Sequence, residues 1–319
     1  MARRTTVVLA GAGAVLLAYL GLLAWLLARR DLPGFGVGDG VLLVAAVAAQ
    51  FAGVWCFGAL FRDGLARSGT HLRPLAAFRA ALIGAGVARL LPVGGAITPV
   101  AMAWSARSEA KHTSGAAIRS TVLNYAGLLV GTGAVLVWIQ AREPIAPEAT
   151  GAALVGGLTA LMIGLALMFG SSRLGSLVGL LPGSLGVRFR PAFHDHAADA
   201  TAQGLVWARL GFEAAVLWAV FWAFDIRLTP TQAFATFGLG QLASGLPGTP
   251  GGLGFAEAGL VGALALFGIP AEIALSSTLV YRLVSYWLPV GAGLVAGGQS
   301  FLAAREAGLT GEADPPSRR

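Results

Sequence analysis

The chain has 319 residues, of which 56% are hydrophobic and only 12% are charged, and its mean hydropathy is +0.75. Soluble globular domains carry about 25% charged residues, so this composition excludes an ordinary soluble domain and indicates an integral membrane protein. The net charge of +7 is not accompanied by a nucleic-acid-binding motif. Arginines that flank apolar segments explain the charge, and we expect no nucleic-acid partner.

Six apolar segments are long enough to cross about 30 Å of hydrocarbon as helices. They lie near residues 5–28, 41–61, 115–140, 150–170, 204–224 and 275–300. The first resembles a secretory signal, but its apolar core of about 24 residues exceeds the usual 7 to 15 and fits a span that is not cleaved. We therefore predict about six full transmembrane helices.

Two further apolar segments, near residues 75–103 and 231–269, are each interrupted in the middle by proline and glycine. The interrupting sequences are LLPVGGAITP and LPGTPGGLG. Each half is about 15 to 17 residues long, roughly 22 to 25 Å of helix, so it reaches the middle of a bilayer but spans it only marginally. Non-helical backbone at this depth is tolerated where protein buries it or where it lines a wet cavity.

The two interruptions resemble each other, which predicts a duplicated architecture. ARLLPVGG aligns with ASGLPGTPGG, which matches Pro92 to Pro247 and Gly94 and Gly95 to Gly251 and Gly252. Paired broken helices in two inverted halves are what secondary transporters use to build a substrate site near the midplane. Tight packing of hairpins is the alternative explanation for the same turns.

The distribution of basic residues favours two re-entrant hairpins over two complete crossings. With re-entrant hairpins and a cytoplasmic N-terminus, four basic residues lie outside, four lie within apolar segments and the other fourteen of the 22 lie inside. With complete crossings the inside-to-outside ratio falls to eleven against seven, which fits the positive-inside rule less well. We predict an all-α fold of six full spans plus two re-entrant broken-helix hairpins in an inverted repeat, with both termini cytoplasmic in a multi-pass protein of the bacterial plasma membrane.

The expected domain organisation is one polytopic transmembrane domain over residues 1–303, followed by a short cytoplasmic tail over residues 304–319. Its pseudo-repeat halves cover about 41–140 and 204–300.

Three stretches resemble the lysylphosphatidylglycerol synthase transmembrane family, the flippase-like domain of the multiple peptide resistance factor and its stand-alone relatives. GLPGTPGGLGFAEAGLVGALALFG and TLVYRLVSYWLPVGAG are similar to the second-half signature, and FRAALIGAGVARLLPVGGAITPVAMAW is similar to the first. Members with synthase activity carry a large soluble domain after the membrane part, whereas this chain ends about 19 residues past its last predicted span. The resemblance therefore implies a stand-alone lipid translocase without aminoacyl-transfer activity.

Ionisable residues inside the membrane are costly and mark functional sites. The resemblance makes Glu257 and Arg282 the family's intramembrane charges, and we expect them to pair. Arg89 is the preferred phosphate ligand, with snorkelling of its long side chain to the membrane surface as the alternative. Arg209 and Glu213 are four apart on one helix face, which favours a structural pair with Arg209 snorkelling to the cytoplasmic end. Asn124 lies on a face of small residues that helix packing explains.

The expected function is movement of an anionic or aminoacylated phospholipid, or of a polyprenyl-phosphate-linked lipid, between leaflets. Arg89, Arg282 and the half-helix N-termini near Gly94 and Gly251 would hold the headgroup. The alternatives are a membrane-embedded lipid-modifying enzyme, for which we find no HExxH motif, acidic cluster or credible triad, and a partner of an enzyme of cell-envelope lipid biosynthesis.

We expect no catalytic residue, metal site or cofactor. The expected partners are a membrane lipid and either a second copy of the chain or an envelope-biosynthesis enzyme. His194 and His196 have no third ligand nearby in the sequence, which argues against a metal site there. The predicted substrate-binding residues are Arg89, Pro92, Gly94, Gly95, Pro247, Pro250, Gly251, Gly252, Glu257, Tyr281 and Arg282, supported by Arg209, Glu213 and Asn124.

Overall fold

The computed structural model describes residues 21, 37–91, 97–107, 109–142, 147–169, 199–246 and 248–311, and every regular element within them is helical. In chain order the helices are α1 (Val37–Arg67), α2 (Pro74–Leu90), α3 (Thr98–Ala106), α4 (Thr113–Arg142), α5 (Pro147–Phe169), α6 (Ala200–Ala223), α7 (Pro230–Ser244), α8 (Phe255–Leu266), α9 (Ala271–Arg282) and α10 (Leu288–Gly311). A 3-10 turn at Pro250–Gly252 precedes α8, and a π-helical turn at Leu283–Trp287 joins α9 to α10. The predicted all-α fold is confirmed.

Five helices in the described residues are long and apolar enough to cross a membrane. They cover Gly38–Arg67, Thr113–Arg142, Thr150–Phe169, Ala200–Ala223 and Ala271–Gln299. Five of the six predicted spans are therefore confirmed as helices of sufficient length, while the segment near 5–28 lies outside the described residues. The chain is a multi-pass membrane protein.

The order of elements repeats in the two predicted halves. In each half a long helix (α1 or α6) is followed by two short helices and then by another long helix (α4, or α9 continued by α10). The packing between halves is reciprocal, because α4 contacts α7 of the second half and α10 contacts α2 of the first. Such an exchange is what a two-fold relation between the halves produces.

The first helices of the two halves, α1 and α6, lie side by side and antiparallel. Arg67 at the end of α1 donates a hydrogen bond to Asp199, which caps the start of α6. Near the middle of both helices, Gly53 lies against Glu213 and the backbone of Arg209. These contacts bring the end of α1 to the start of α6 and the middle of one helix to the middle of the other.

The short helices pack in two pairs, α2 with α3 and α7 with α8, which are called the first and second hairpin below. In the first, Gly84 on α2 packs directly against Met102 on α3. A Cβ added at Gly84 would lie 2.5 Å from Cγ of Met102. In the second, Gly240 on α7 lies against Leu260 on α8 in the same way, at 2.6 Å. The glycines let the two short helices of each broken segment approach closely.

Charged contacts place the start of α4 at the end of the bundle where α1 finishes. Arg119, near the start of α4, is 4% exposed and donates a 2.9 Å hydrogen bond to Asp63 near the end of α1. Arg67 also bonds to Asp63, at 3.2 Å. The end of α1 and the start of α4, which flank α2 and α3 in the sequence, therefore lie close together. Arg119 is one of the four basic residues that lie within apolar segments of the sequence, which did not indicate Asp63 as its partner.

The last helix packs against the first hairpin at a pair of glycines. A Cβ on Gly293 of α10 would lie 2.5 Å from the carbonyl oxygen of Leu82 and 3.0 Å from the Cα of Gly86 on α2. Small residues allow this close crossing, as is common between membrane helices. A stripe of polar and small residues on the last span faces the interior, because Arg282, Ser285, Tyr286, Pro289 and Gly293 are all buried.

Candidate functional site

The tips of the two hairpins meet. The amide of Gly251, at the second tip, donates to the carbonyl oxygen of Leu91 at the end of α2, at 3.4 Å. The hydroxyl of Tyr286 lies 2.5 Å from the carbonyl oxygen of Arg89 and 3.3 Å from that of Pro250, so it contacts both tips. Gly251 has a φ of +55°, and a Cβ there would lie 2.9 Å from the Cα of Arg89. Glycine is therefore required at this contact by both conformation and space.

Glu257 and Arg282 form the predicted ion pair. The Nε of Arg282 donates to Oε1 of Glu257 at 2.8 Å, and their side chains are 5% and 12% exposed. The other carboxylate oxygen of Glu257 accepts the amide of Gly254 at 2.6 Å, which caps the start of α8. A second guanidinium nitrogen of Arg282 lies 3.4 Å from the carbonyl oxygen of Gly251. The pair therefore joins the last span to the second hairpin.

This cap corrects one expectation about the site. The N-terminus of α8 was expected to hold an anionic headgroup, because a helix N-terminus carries exposed N–H donors and partial positive charge. Glu257 supplies an anion of the protein's own at that place. The N-terminus of α3 differs, because it begins at Thr98 with no side-chain cap.

Arg209 and Glu213 pair along one face of α6, as their spacing predicted. The Nη2 and Nε of Arg209 donate to Oε1 of Glu213 at 3.0 and 3.2 Å. The guanidinium carbon of Arg209 lies 4.0 Å from the centre of the Phe57 ring, in cation–π geometry. Because the Arg209 side chain is directed inward and is 14% exposed, the snorkelling interpretation was wrong for this residue.

Arg89 is held differently from the other two arginines. Its two terminal nitrogens donate to the carbonyl oxygens of Ala85 and Ser285, each at 3.0 Å. No carboxylate of the described residues forms an ion pair with it, whereas Arg209 and Arg282 each have one. Backbone carbonyls position this guanidinium without neutralising its charge.

These groups surround a partly open cavity of about 100 Å³ at the tips of the hairpins. A cavity of this size with several polar partners can hold water. Its walls come from the middle of α1, α4 and α6 and from both hairpins, so it lies at mid-height in the bundle. The polar and charged side chains in the lining are Arg89, Thr98, Thr121, Asn124, Tyr125, Arg209, Glu213, Gln241, Ser244, Arg282 and Tyr286.

Two polar atoms in the cavity wall are buried without a hydrogen-bond partner among the described residues. They are Nη1 of Arg209 and Oδ1 of Asn124. A buried polar group without a partner costs about 1 to 3 kcal/mol, and more when it is charged. Water or a polar ligand in the cavity would satisfy both.

A second cavity, of about 350 Å³, is larger but has a different chemistry. It lies between α4, α5, α7 and α8, and leucine, alanine and glycine make up its lining apart from Thr132. It offers no charged group to a headgroup. The smaller polar cavity is therefore the candidate functional site.

The structure brings together part of the predicted set. Arg89, Gly251, Arg282, Arg209, Glu213 and Asn124 all line the polar cavity. Glu257 contacts Arg282 from outside the lining, while Pro250, Gly252 and Tyr281 lie near the cavity without lining it. Pro92, Gly94, Gly95 and Pro247 lie outside the described residues.

Sequence reasoning missed several neutral polar residues of the lining, among them Gln241, Thr121 and Ser244. Gln241 interrupts an apolar half-helix, which was a usable signal. Thr121 and Ser244 donate to backbone carbonyls one turn away, which hides them as ordinary helix residues. Among the described residues, no three His, Cys, Asp or Glu side chains come together as metal ligands. His194 and His196 are outside that part of the chain.

Comparison with known proteins agrees with this architecture. The sequence model of the family described as "Lysylphosphatidylglycerol synthase TM region" matches residues 7–293. The chain belongs to this family. Within curated proteins, a "UPF0104 membrane protein" of Methanothermobacter thermautotrophicus is 33% identical over 79 residues, which are 25% of this chain and 24% of that relative. The match to this relative thus spans about a quarter of its length. Family membership indicates a function related to membrane lipids.

Proposed function

We propose that this protein moves a lipid with an anionic headgroup between the two leaflets of the plasma membrane of a bacterium. The observation that carries the proposal is the meeting of two hairpin tips around a polar, positively charged cavity at mid-height in a bundle of membrane-spanning helices. A headgroup cannot cross about 30 Å of hydrocarbon cheaply without such polar contacts. The lipid tails stay in the bilayer while the headgroup occupies the cavity.

We further propose that both hairpins are re-entrant and that the segment near 5–28 is a sixth span. The legs of each hairpin are at most 17 residues long, about 25 Å, which is less than the hydrocarbon thickness. The ion pair between Arg119 and Asp63 joins the end of α1 to the start of α4. This contact supports a first hairpin that enters and leaves the bundle at the same end. Together with the positive-inside rule, this arrangement gives two cytoplasmic termini and oppositely oriented halves.

Transport explains the site better than chemistry does. Glu213 is bonded to Arg209 and Glu257 to Arg282, so both carboxylates at the cavity are engaged as ion-pair partners. A general base needs a carboxylate or imidazole that is free to take a proton from the substrate. Inverted halves with broken helices also give two alternative packings that expose one site to either side of the membrane in turn. We therefore propose that the protein carries out no enzymatic step. We propose that its binding partner is a membrane lipid.

The proposal is tested by reconstituting the purified chain into liposomes that contain phosphatidylglycerol labelled on one acyl chain with a fluorophore. Dithionite added outside quenches only outer-leaflet label, so the rate of further quenching measures movement between leaflets. We expect movement that depends on the protein, and a loss of about ten- to a hundredfold in Arg89→Ala, because hydrogen bonds to a charged group contribute about 1.5 to 3 kcal/mol.

Arg227→Ala is the matched control. This arginine pairs with Asp225 outside the cavity, and its side chain is 59% exposed. The control variant should move lipid at the unmodified rate. Equal rates in liposomes with and without the protein would contradict the proposed function.

A further inference from the structure

We propose, on the basis of the proposed function, that the site selects a lipid with one negative charge: a phosphodiester that carries a neutral, hydroxylated headgroup. Among the residues that the structure describes, the cavity and its immediate contacts hold three arginines and two glutamates, Arg89, Arg209, Arg282, Glu213 and Glu257. Two arginines are matched one to one by the glutamates, which leaves a single positive charge. An uncompensated charge buried at this depth costs several kcal/mol, so one bound negative charge restores the balance.

The excess charge lies on the side of the first hairpin. Glu257 is the third residue of α8, where its carboxylate neutralises Arg282 and caps the helix. The third residue of α3 is Val100, so the first hairpin has no carboxylate at the equivalent place. Arg89 and the start of α3 at Thr98 therefore both line the cavity, and no carboxylate of the described residues forms an ion pair with Arg89. This asymmetry between two otherwise similar hairpins defines where a phosphate would bind.

The unpartnered atoms point to a ligand in the same place. Nη1 of Arg209 is a buried donor that can bind an anion, and Oδ1 of Asn124 can accept a hydrogen bond from a hydroxyl group. Thr121 and Gln241 add further neutral polar groups to the lining. Hydroxyl groups of a polyol or a sugar match this set, because they donate and accept hydrogen bonds without adding charge.

The same balance disfavours the other lipid classes. A phosphomonoester carries about −1.5 to −2 charges at pH 7 and overcompensates the site. A zwitterionic or aminoacylated headgroup brings an ammonium group, and both carboxylates near the cavity are already bonded to arginines. The shared chemistry of the favoured class is a monoanionic phosphodiester, which occurs both in glycerophospholipids and in polyprenyl phosphoryl sugars.

The test compares three lipids with the same fluorescent acyl chain in the dithionite assay: phosphatidylglycerol, phosphatidylcholine and phosphatidic acid. We expect phosphatidylglycerol to move about tenfold faster than the other two lipids. This factor corresponds to the free energy that one hydrogen bond to a charged group contributes. In Arg89→Gln the ratio of phosphatidylglycerol to phosphatidylcholine rates should fall toward one. Equal rates for all three lipids, or a ratio that Arg89→Gln leaves unchanged, would overturn the charge selection while leaving the translocase intact. Absence of movement for every lipid would instead remove the proposed function.

A second pair of variants guards against misfolding of Arg89→Gln. Thr98→Asp adds a carboxylate to the cavity wall, and Thr98→Asn makes nearly the same change of shape without charge. The aspartate variant should lose the phosphatidylglycerol preference that the asparagine variant keeps; equal preferences in the two variants would overturn the inference. Competition by a short-chain prenyl phosphoryl hexose separates the two lipid sources. If this compound slows the movement of labelled phosphatidylglycerol, the charge selection is supported and polyprenyl phosphoryl sugars are among the lipids that bind. If only unlabelled phosphatidylglycerol slows it, the charge selection is supported and the lipid is a glycerophospholipid.

Discussion

Replacing Gly251 by alanine should separate the two hairpin tips. The residue has a φ of +55°, which costs a residue with a side chain about 1 to 2 kcal/mol. The new Cβ would also lie 2.5 Å from Cε2 of Tyr286 and 2.9 Å from the carbonyl oxygen of Arg89. Overpacking of this kind costs about 1 to 3 kcal/mol, so we expect a total destabilisation of about 2 to 5 kcal/mol.

Gly268 provides the matched control for this substitution. It lies two residues after the end of α8 with a φ of +74°, and among the described residues no atom beyond its chain neighbours lies within 4 Å of the position of its Cβ. Gly268→Ala therefore carries the conformational cost of about 1 to 2 kcal/mol without the overlap. The assay is the thermal unfolding midpoint in detergent, combined with the lipid-movement rate in liposomes.

The two variants should differ in both measurements. Gly251→Ala should unfold at a lower temperature than Gly268→Ala and should lose most of the lipid movement, because Tyr286 and Arg89 at the cavity must shift. Equal midpoints and equal rates would show that the tips are not in contact as described.

Two other predictions concern contacts that hold the halves together. Arg282→Ala and Glu257→Ala should each destabilise the protein by about 3 to 5 kcal/mol, because each leaves a buried charge unpaired. In a double-mutant cycle of unfolding free energies, the double variant should lose less than the sum of the two single losses. Additive losses would contradict the buried pair. Gly293→Ala should destabilise the crossing of α10 and α2, where its Cβ would lie 2.5 Å from the carbonyl oxygen of Leu82. Gly291→Ala should not, because no atom of the described residues beyond its own helix backbone lies within 4 Å of its Cβ. Comparable unfolding midpoints for the two alanine variants would refute the close crossing.

The features that the sequence predicted are those fixed by local pattern. Hydropathy located the long helices, because burial in hydrocarbon demands a minimum apolar length. The cluster of proline and glycine between 246 and 254 located a turn, because those residues end helices. Glu257 and Arg282 were identified through the resemblance to the family's motifs, as ionisable residues inside apolar segments.

The features that the sequence missed depend on how distant segments meet. Asp63 is 56 residues from Arg119, and no local pattern indicates that α1 and α4 bring the two together. The spacing of Arg209 and Glu213 predicted that they pair. It did not predict that this helix face packs against Phe57, or that both side chains line the cavity. The hydroxyl of Tyr286 bonds to a backbone carbonyl 197 residues away, a contact that only the meeting of the two tips creates.

Side-specific labelling of single cysteines tests most directly whether the first broken segment returns to the side from which it enters. In a background with Cys56→Ala, which removes the single native cysteine, cysteines are introduced at Ser68, Lys111 and Arg142. Ser68 and Lys111 flank the first hairpin, and Arg142 is the last residue of α4. A membrane-impermeant thiol reagent should label Ser68→Cys and Lys111→Cys from one side and Arg142→Cys from the other. Labelling of positions 68 and 111 from opposite sides would contradict a re-entrant hairpin and the shared cavity at its tip.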